Sequence, residues 1–192
     1  MSNVVVTTAP TAQPVTLEEA KAWLRVDSND DDLLIIALIE AATDHAETFT
    51  RRALVSRGLT LYLDAFPDTR EIVLLRPPLS AVSSVKYYDE DGTLQTLSTA
   101  AYTVDTRSTP GRVVLNEDYD WPDTQAKPNA VEVAYTAGYG NSQAVPQGLR
   151  LAVQYILRHW FDNREMVATA AMRTVPSTAE ALLWQYRIPK LA

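Results

Sequence analysis

The sequence predicts an α+β protein, a helical core of about four helices with a mainly antiparallel β insertion between the second and third helices. Three observations carry this reading. Apolar residues recur at helical spacing in two long stretches, 16–52 and 147–163. Between them, short runs alternate apolar and polar residues with the two-residue period of half-buried strands. Turns rich in Gly and Pro separate those runs at short intervals, which suits hairpins and leaves no room for crossover helices.

Taken in order, residues 1–14 are rich in Val, Thr and Pro and read as an extended arm. The first helix opens on a capping box, Thr16 with Glu19, and Val15 is placed to staple against Ala20. Leu17, Ala20, Trp23 and Leu24 then share one face. The acidic stretch Asp27 to Asp32 interrupts the pattern and restarts it at a helix N-terminus, where acids are favoured by about 0.3–1 kcal/mol each. A second helix follows from Asp31 to Arg52. Its first turns, Leu33 to Ile39, are apolar all round, so cover is expected on more than one side. Its second half sets Ala41, Ala42, His45 and Phe49 against Asp44, Glu47 and Arg51.

The β region spans 57–136. Leu59, Leu61 and Leu63 alternate with Thr60, Tyr62 and Asp64, and further strands are expected at Glu71–Leu75, Val82–Tyr88, Tyr102–Asp105, Arg112–Leu115 and Val131–Tyr135. Asp89-Glu90-Asp91-Gly92 is a hairpin signal. Pro146 opens the third helix, Gln147 to Asn163, whose polar residues Arg150, Gln154, Arg158 and Asp162 form one narrow stripe. A linker of small residues, 168–176, leads to a short last helix from Ser177 to about Tyr186 and a tail. The expected organisation is an arm at 1–14, one domain at 15–167, and a linker, helix and tail at 168–192.

Composition narrows the function classes. The 192 residues are 46% hydrophobic and 21% charged, ordinary for a soluble protein with a core. There is no cysteine, so neither disulfides nor thiolate metal sites exist. The N-terminus lacks the basic and apolar regions of a secretory signal, and the longest apolar run falls far short of the roughly 20 residues that span a membrane. A net charge of −7 and a pI near 4.8 oppose sequence-independent DNA binding, which needs Lys and Arg against phosphate.

Motifs that would carry chemistry fail one by one. Asp27, Asn29 and Asp31 imitate the first ligands of a calcium loop, but Asp32 stands where Gly is needed and Leu38 where a bidentate Glu is needed. Ser83 and Lys86 match Ser-x-x-Lys, yet in a strand they point to opposite faces. Gly138-Tyr139-Gly140 lacks the other residues of a phosphate loop. His45 and His159 have no diagnostic metal spacing. No catalytic residue, metal site or cofactor is expected, and the chain reads as a non-enzyme.

Several stretches resemble the head–tail connector (adaptor) family of tailed phages and gene transfer agents. Val15 to Asp27, Asp30 to Leu34 and Thr50 to Leu54 resemble its first two helices. Leu75-Arg76-Pro77-Pro78-Leu79, Val82 to Tyr88 and Asp91-Gly92 are similar to its β region. Tyr135 to Gly140, Val145-Pro146 and the helix ending at His159 to Glu165 resemble its third helix and preceding loop. The resemblance implies a structural subunit that forms a ring, a dodecamer, under the portal. Such a ring prolongs the DNA channel and joins the capsid to a stopper or other neck or tail protein. DNA then passes the lumen without sequence-specific binding, no membrane is involved, and the particle neck is assembled in the host bacterial cytoplasm.

The resemblance also implies that the C-terminal tail docks on the portal, through Met172, Leu183, Trp184, Tyr186, Arg187, Ile188 and Lys190. Trp, Tyr and Arg are the usual anchors of an interface. The same tail fits a plainer reading, in which Leu182, Leu183 and Trp184 cap the domain's own core. The excess apolar perimeter of the second and third helices suits ring contacts, with Leu33, Ile36, Tyr155, His159 and Trp160 as subunit-interface candidates. The turn Asp89, Glu90, Asp91, Gly92 and the loop carrying Arg107 are candidates for the downstream partner. Two alternatives stand beside the adaptor: another neck or tail-completion protein such as a stopper, and a small acidic ligand- or metal-binding protein.

Overall fold

The structure, a computed structural model, describes residues 3–163 and 175–189. It contains four α-helices among the described residues and two antiparallel sheets, with the strand-rich part between the second and third helices. The α+β expectation therefore holds. The chain divides into two compact units, one made of Met1–Pro10 and Ser56–Tyr139, the other of Thr11–Val55 and Gly140–Ala192.

The first unit is built of β-strands, with one short 3-10 turn at Thr99–Ala101. Strands β1 (Asn3–Thr8), β2 (Arg57–Leu63), β3 (Glu71–Val73), β4 (Leu79–Tyr88), β5 (Leu94–Thr96), β6 (Tyr102–Asp105), β7 (Arg112–Leu115) and β8 (Val131–Ala137) form two sheets, ordered β1-β2-β8-β4-β5 and β3-β7-β6. Every pairing is antiparallel. The alternation in β8 is complete: Val131, Val133, Tyr135 and Ala137 are buried and the residues between them are not. Leu59, Leu61, Ile72, Val85, Val113 and Leu115 complete the core. Tyr135 brings a polar atom into that core, and its hydroxyl donates to the Leu75 carbonyl at 2.8 Å.

Two strands carry no expectation from sequence. Asn3–Thr8, within the segment read as an arm, pairs with β2, Val4 opposite Leu61 and Val6 opposite Leu59. The three-residue β5 pairs with the end of β4. β4 itself begins at Leu79, earlier than the expected Val82, and accommodates two register shifts against β8.

The second unit is helical, with α1 (Leu17–Leu24), α2 (Asp32–Thr50), α3 (Gln147–Asp162) and α4 (Ser177–Trp184). The capping box forms as expected: Glu19 N–H donates to Thr16 Oγ1 at 3.2 Å, and Thr16 N–H donates to Glu19 Oε2 at 3.0 Å. α3 packs against α1, α2 and α4. It buries Leu149, Ala152, Val153, Ile156, Leu157 and Trp160. Arg150, at the start of its polar stripe, donates to the Pro14 carbonyl at 2.9 Å and pairs with Glu19. One residue departs from its expected side. Glu47, read as part of the polar face of α2, is buried, because its carboxylate accepts the Leu54 N–H at 2.8 Å just past the helix end.

Candidate docking surfaces

α2 carries two candidate surfaces, one at each end. Its buried residues, Ile35, Leu38, Ile39, Ala42, Ala46 and Thr50, recur at three- and four-residue spacing and cover one face. The apolar residues between them are incompletely covered within the unit. Leu33 is 85% exposed, Leu34 and Ile36 are more than a third exposed, and Ala37 is exposed. Beside Ile36 lies a hollow lined by Ala12, Gln13, Val15, Leu17 and Ile39. Its lining is mostly apolar, with Gln13 and Thr16 as the polar members, and the segment preceding α1 supplies four of the seven residues.

The turn before α2 gives this apolar face an acidic border. Asp27 and Asp30 are exposed. Lys21 Nζ donates to Asp32 Oδ1 and Asn29 Oδ1, each at 2.7 Å, so a lysine pins the turn. Among the described residues no three His, Asp or Glu side chains are grouped to hold a metal ion.

The opposite end of α2 is closed by the tail. Arg51 ends the helix in the left-handed region, φ 58°. Ile188 N–H donates to the Thr50 carbonyl at 3.0 Å, and Arg52 Nε donates to the Tyr186 carbonyl at 2.6 Å. These bonds satisfy groups that a helix terminus and an irregular tail would otherwise leave bare. Gly148 of α3 lets the Tyr186 ring approach closely, since a Cβ there would meet the Tyr186 hydroxyl at 2.9 Å.

An aromatic ladder runs from the core to this end. Trp160, 3% exposed, meets His45 edge-on at 6.2 Å; His45 stacks on Phe49 at 6.5 Å; Phe49 meets Trp184 edge-on at 5.5 Å. Trp184 is 57% exposed, and the Arg187 guanidinium lies 4.5 Å from its ring centroid and 5.1 Å from that of Phe49. Phe49 and Trp184 thus form an edge-to-face pair with a cation held over it, an exposed aromatic plate on its Trp184 side. Burial holds His45 below the usual histidine range, while Glu180 and Asp44 pull the other way.

The remaining sequence candidates fall as follows. Leu183 is fully buried in the helical core, one residue from exposed Trp184. Tyr186 and Ile188 are half-buried against α2, and Met172 and Lys190 lie outside the described residues. Tyr155 packs edge-on against Trp23 at 5.6 Å. The His159 carbonyl accepts from Asn163 Nδ2 at 2.7 Å. In the β unit, Asp89 builds its own turn, accepting from Thr93 N–H and Gln95 Nε2 at 2.8 Å each, with Gly92 at φ 79°. Glu90 and Asp91 point outward from it. Asp105 organises the next loop in the same way. It accepts from the Ser108 hydroxyl and N–H, the Arg107 N–H and Arg112, which holds its carboxyl well below the usual range. Arg107 itself is exposed.

Residues the sequence reading passed over are Ala12, Gln13 and Val15 of the hollow, and Phe49 and Arg51 at the tail. No periodic signal marks the hollow, because it joins a non-helical segment to a helix. Arg51 had a usable sign: with Arg52 it forms a pair of cations at the end of a helix that holds no other Lys or Arg.

The sequence matches the family described as "Head completion protein" over residues 14–188. No curated protein matches it. Several solved chains share its fold, among them three particle chains. One, from "Neck of empty GTA particle computed with C6 symmetry", has a TM-score of 0.82 and 22% identity, covering 99% of this chain and 97% of that one. A second, from "Virion of native gene transfer agent (GTA) particle", has a TM-score of 0.79 and 20% identity, covering 98% and 97%. A third, from "Neck of native GTA particle computed with C12 symmetry", has a TM-score of 0.73 and 22% identity, covering 100% and 97%.

Proposed function

We propose that this chain, which belongs to the head completion protein family, is a ring-forming adaptor subunit in the neck of a tailed phage or gene transfer agent. The observation that carries the reading is the match of family and fold over nearly the whole chain, with fold neighbours drawn from particle necks computed with C6 and C12 symmetry. A ring built by rotation needs two different surfaces on each subunit. The two ends of α2 supply surfaces of that kind.

In this reading the ring lies under the portal as a dodecamer and prolongs the DNA channel. The C-terminal tail reaches the portal, and the Asp89–Gly92 turn and the Arg107 loop face the next neck protein. Four helices and an open helical face support the adaptor over a stopper, for which a mostly β chain is expected. A role resting on docking needs no bound group, and the surfaces described are apolar, acidic and aromatic.

The test is the mass of the purified protein in solution, alone and mixed with its cognate portal ring. A large ring alone, or a stable complex with the portal, is expected. A monomer in both samples overturns the adaptor reading.

A further inference from the structure

We infer that the Trp184–Arg187 plate of one copy docks on the Leu33 face of the next copy, so that the ring closes through the two ends of α2. The inference rests on the ring reading above. It moves Trp184 and Arg187 from portal contact to ring contact and leaves the rest of the tail for the portal.

Charge and shape both argue for this occupant. The stretch from Lys21 to Asp32 that leads into α2 holds Asp27, Asp30, Asp31 and Asp32 against Lys21 and Arg25, a net charge of −2. At the other end, Arg51, Arg52 and Arg187 gather at the last turn of α2, where Glu47 is buried, while Asp44 and Glu180 lie about one turn away beside His45. Each charged patch adjoins an uncovered apolar one, Leu33, Leu34 and Ile36 at the acidic end and Trp184 at the basic end. The hollow beside Ile36 is a concave apolar site, and Trp184 is a protruding apolar ring.

A two-fold contact of the Leu33 face with itself sets acid against acid, and the same contact of the Trp184 plate sets Arg against Arg. Head-to-tail pairing avoids both costs. It is also the heterologous contact that builds rings. Trp and Arg are the side chains that most often anchor interfaces, and a guanidinium already stacked on its indole loses little freedom on docking.

The chain has no cysteine, so introduced thiols report the contact directly. Ala37→Cys and Gln185→Cys sit on exposed positions beside the two patches and leave Leu33, Trp184 and Arg187 intact. Ala37 lies 12 residues before Phe49, the Trp184 contact, which is about 18 Å along the helix. A disulfide needs Cα atoms within about 7 Å, so the two thiols of one chain do not bridge. Oxidation of the double variant, alone and on the portal ring, is expected to give a ladder of covalent oligomers. Each single variant is expected to stay uncrosslinked. Adding Trp184→Ala and Arg187→Ala to the double variant is expected to abolish the ladder. An oligomer of full ring mass that yields no ladder overturns this contact while leaving the ring reading intact, as do dimers from either single variant in the same yield. A chain that remains a monomer alone and with the portal overturns the ring reading and this contact together.

Discussion

His45 shows how a single residue couples the core to the tail. It stands between buried Trp160 and Phe49, and Phe49 in turn carries Trp184. Burial lowers its pKa, and the acids that face it, Asp44 on α2 and Glu180 on α4, offset only part of that. α3 presents Trp160 to it. With the folded pKa below the unfolded value of about 6.5, the unfolded chain binds the proton first. Stability is therefore complete above about pH 6.5 and declines as pH falls through the window below it. Thermal unfolding between about pH 7.5 and about pH 5.5 is expected to show this decline, and His45→Phe, which keeps the ring stack, is expected to flatten it. Parallel curves for the two proteins would mean that His45 does not contribute. The ladder was only partly legible in sequence. Aromatic residues at helical spacing were visible, but Leu183 inside and Trp184 outside differ by one position on an eight-residue helix, too short for its pattern to define a face.

At the scale of elements, the start of α1 is a shared structure. Thr16 and Glu19 cap it, and Arg150 reaches from α3 to the Pro14 carbonyl and to Glu19, whose carboxyl that guanidinium holds below the usual range. Thr16→Ala removes one cap bond and is expected to cost about 1 kcal/mol. Arg150→Ala strips partners from a carbonyl and a part-buried carboxylate, so about 2 kcal/mol or more is expected. Urea unfolding of the two variants checks the order, and an equal cost would show that Arg150 is not the stronger tie. Elements defined by local chemistry were legible: the capping box, all four helices, and β6 and β7 with their bounds. Elements defined by distant partners were not. β1 becomes a strand only because β2 lies some fifty residues away to receive it, and β5 has three residues. The start of β4 was hidden because each of its register shifts inserts a residue and breaks the alternation. The apolar excess of α2 was readable, but which half its own chain covers depends on where α3 packs.

The whole molecule combines local charge patches with an acidic total. In the proposed ring each subunit would add a net charge of −7, so closure would concentrate negative charge around the lumen. That total disfavours a grip on phosphate, since adhesion requires Lys and Arg to replace counterions along the duplex. Several of the described cations are already committed to partners. Arg112 is paired with Glu71 and Asp105, Arg150 with Glu19, Arg158 with Asp162 and Lys21 with Asp32. Arg51, Arg52 and Arg187 are spent on the tail and on the contact proposed for it. Under the proposed function, such a subunit would let DNA slide and confine recognition to protein surfaces. The assembled protein is accordingly expected not to retain duplex DNA even at about 50 mM salt, where electrostatic binding is strongest. A gel-shift titration with random-sequence duplex measures this. Retention that collapses steeply as salt rises would reveal a basic lining, and would place the arginines toward the lumen instead of between subunits.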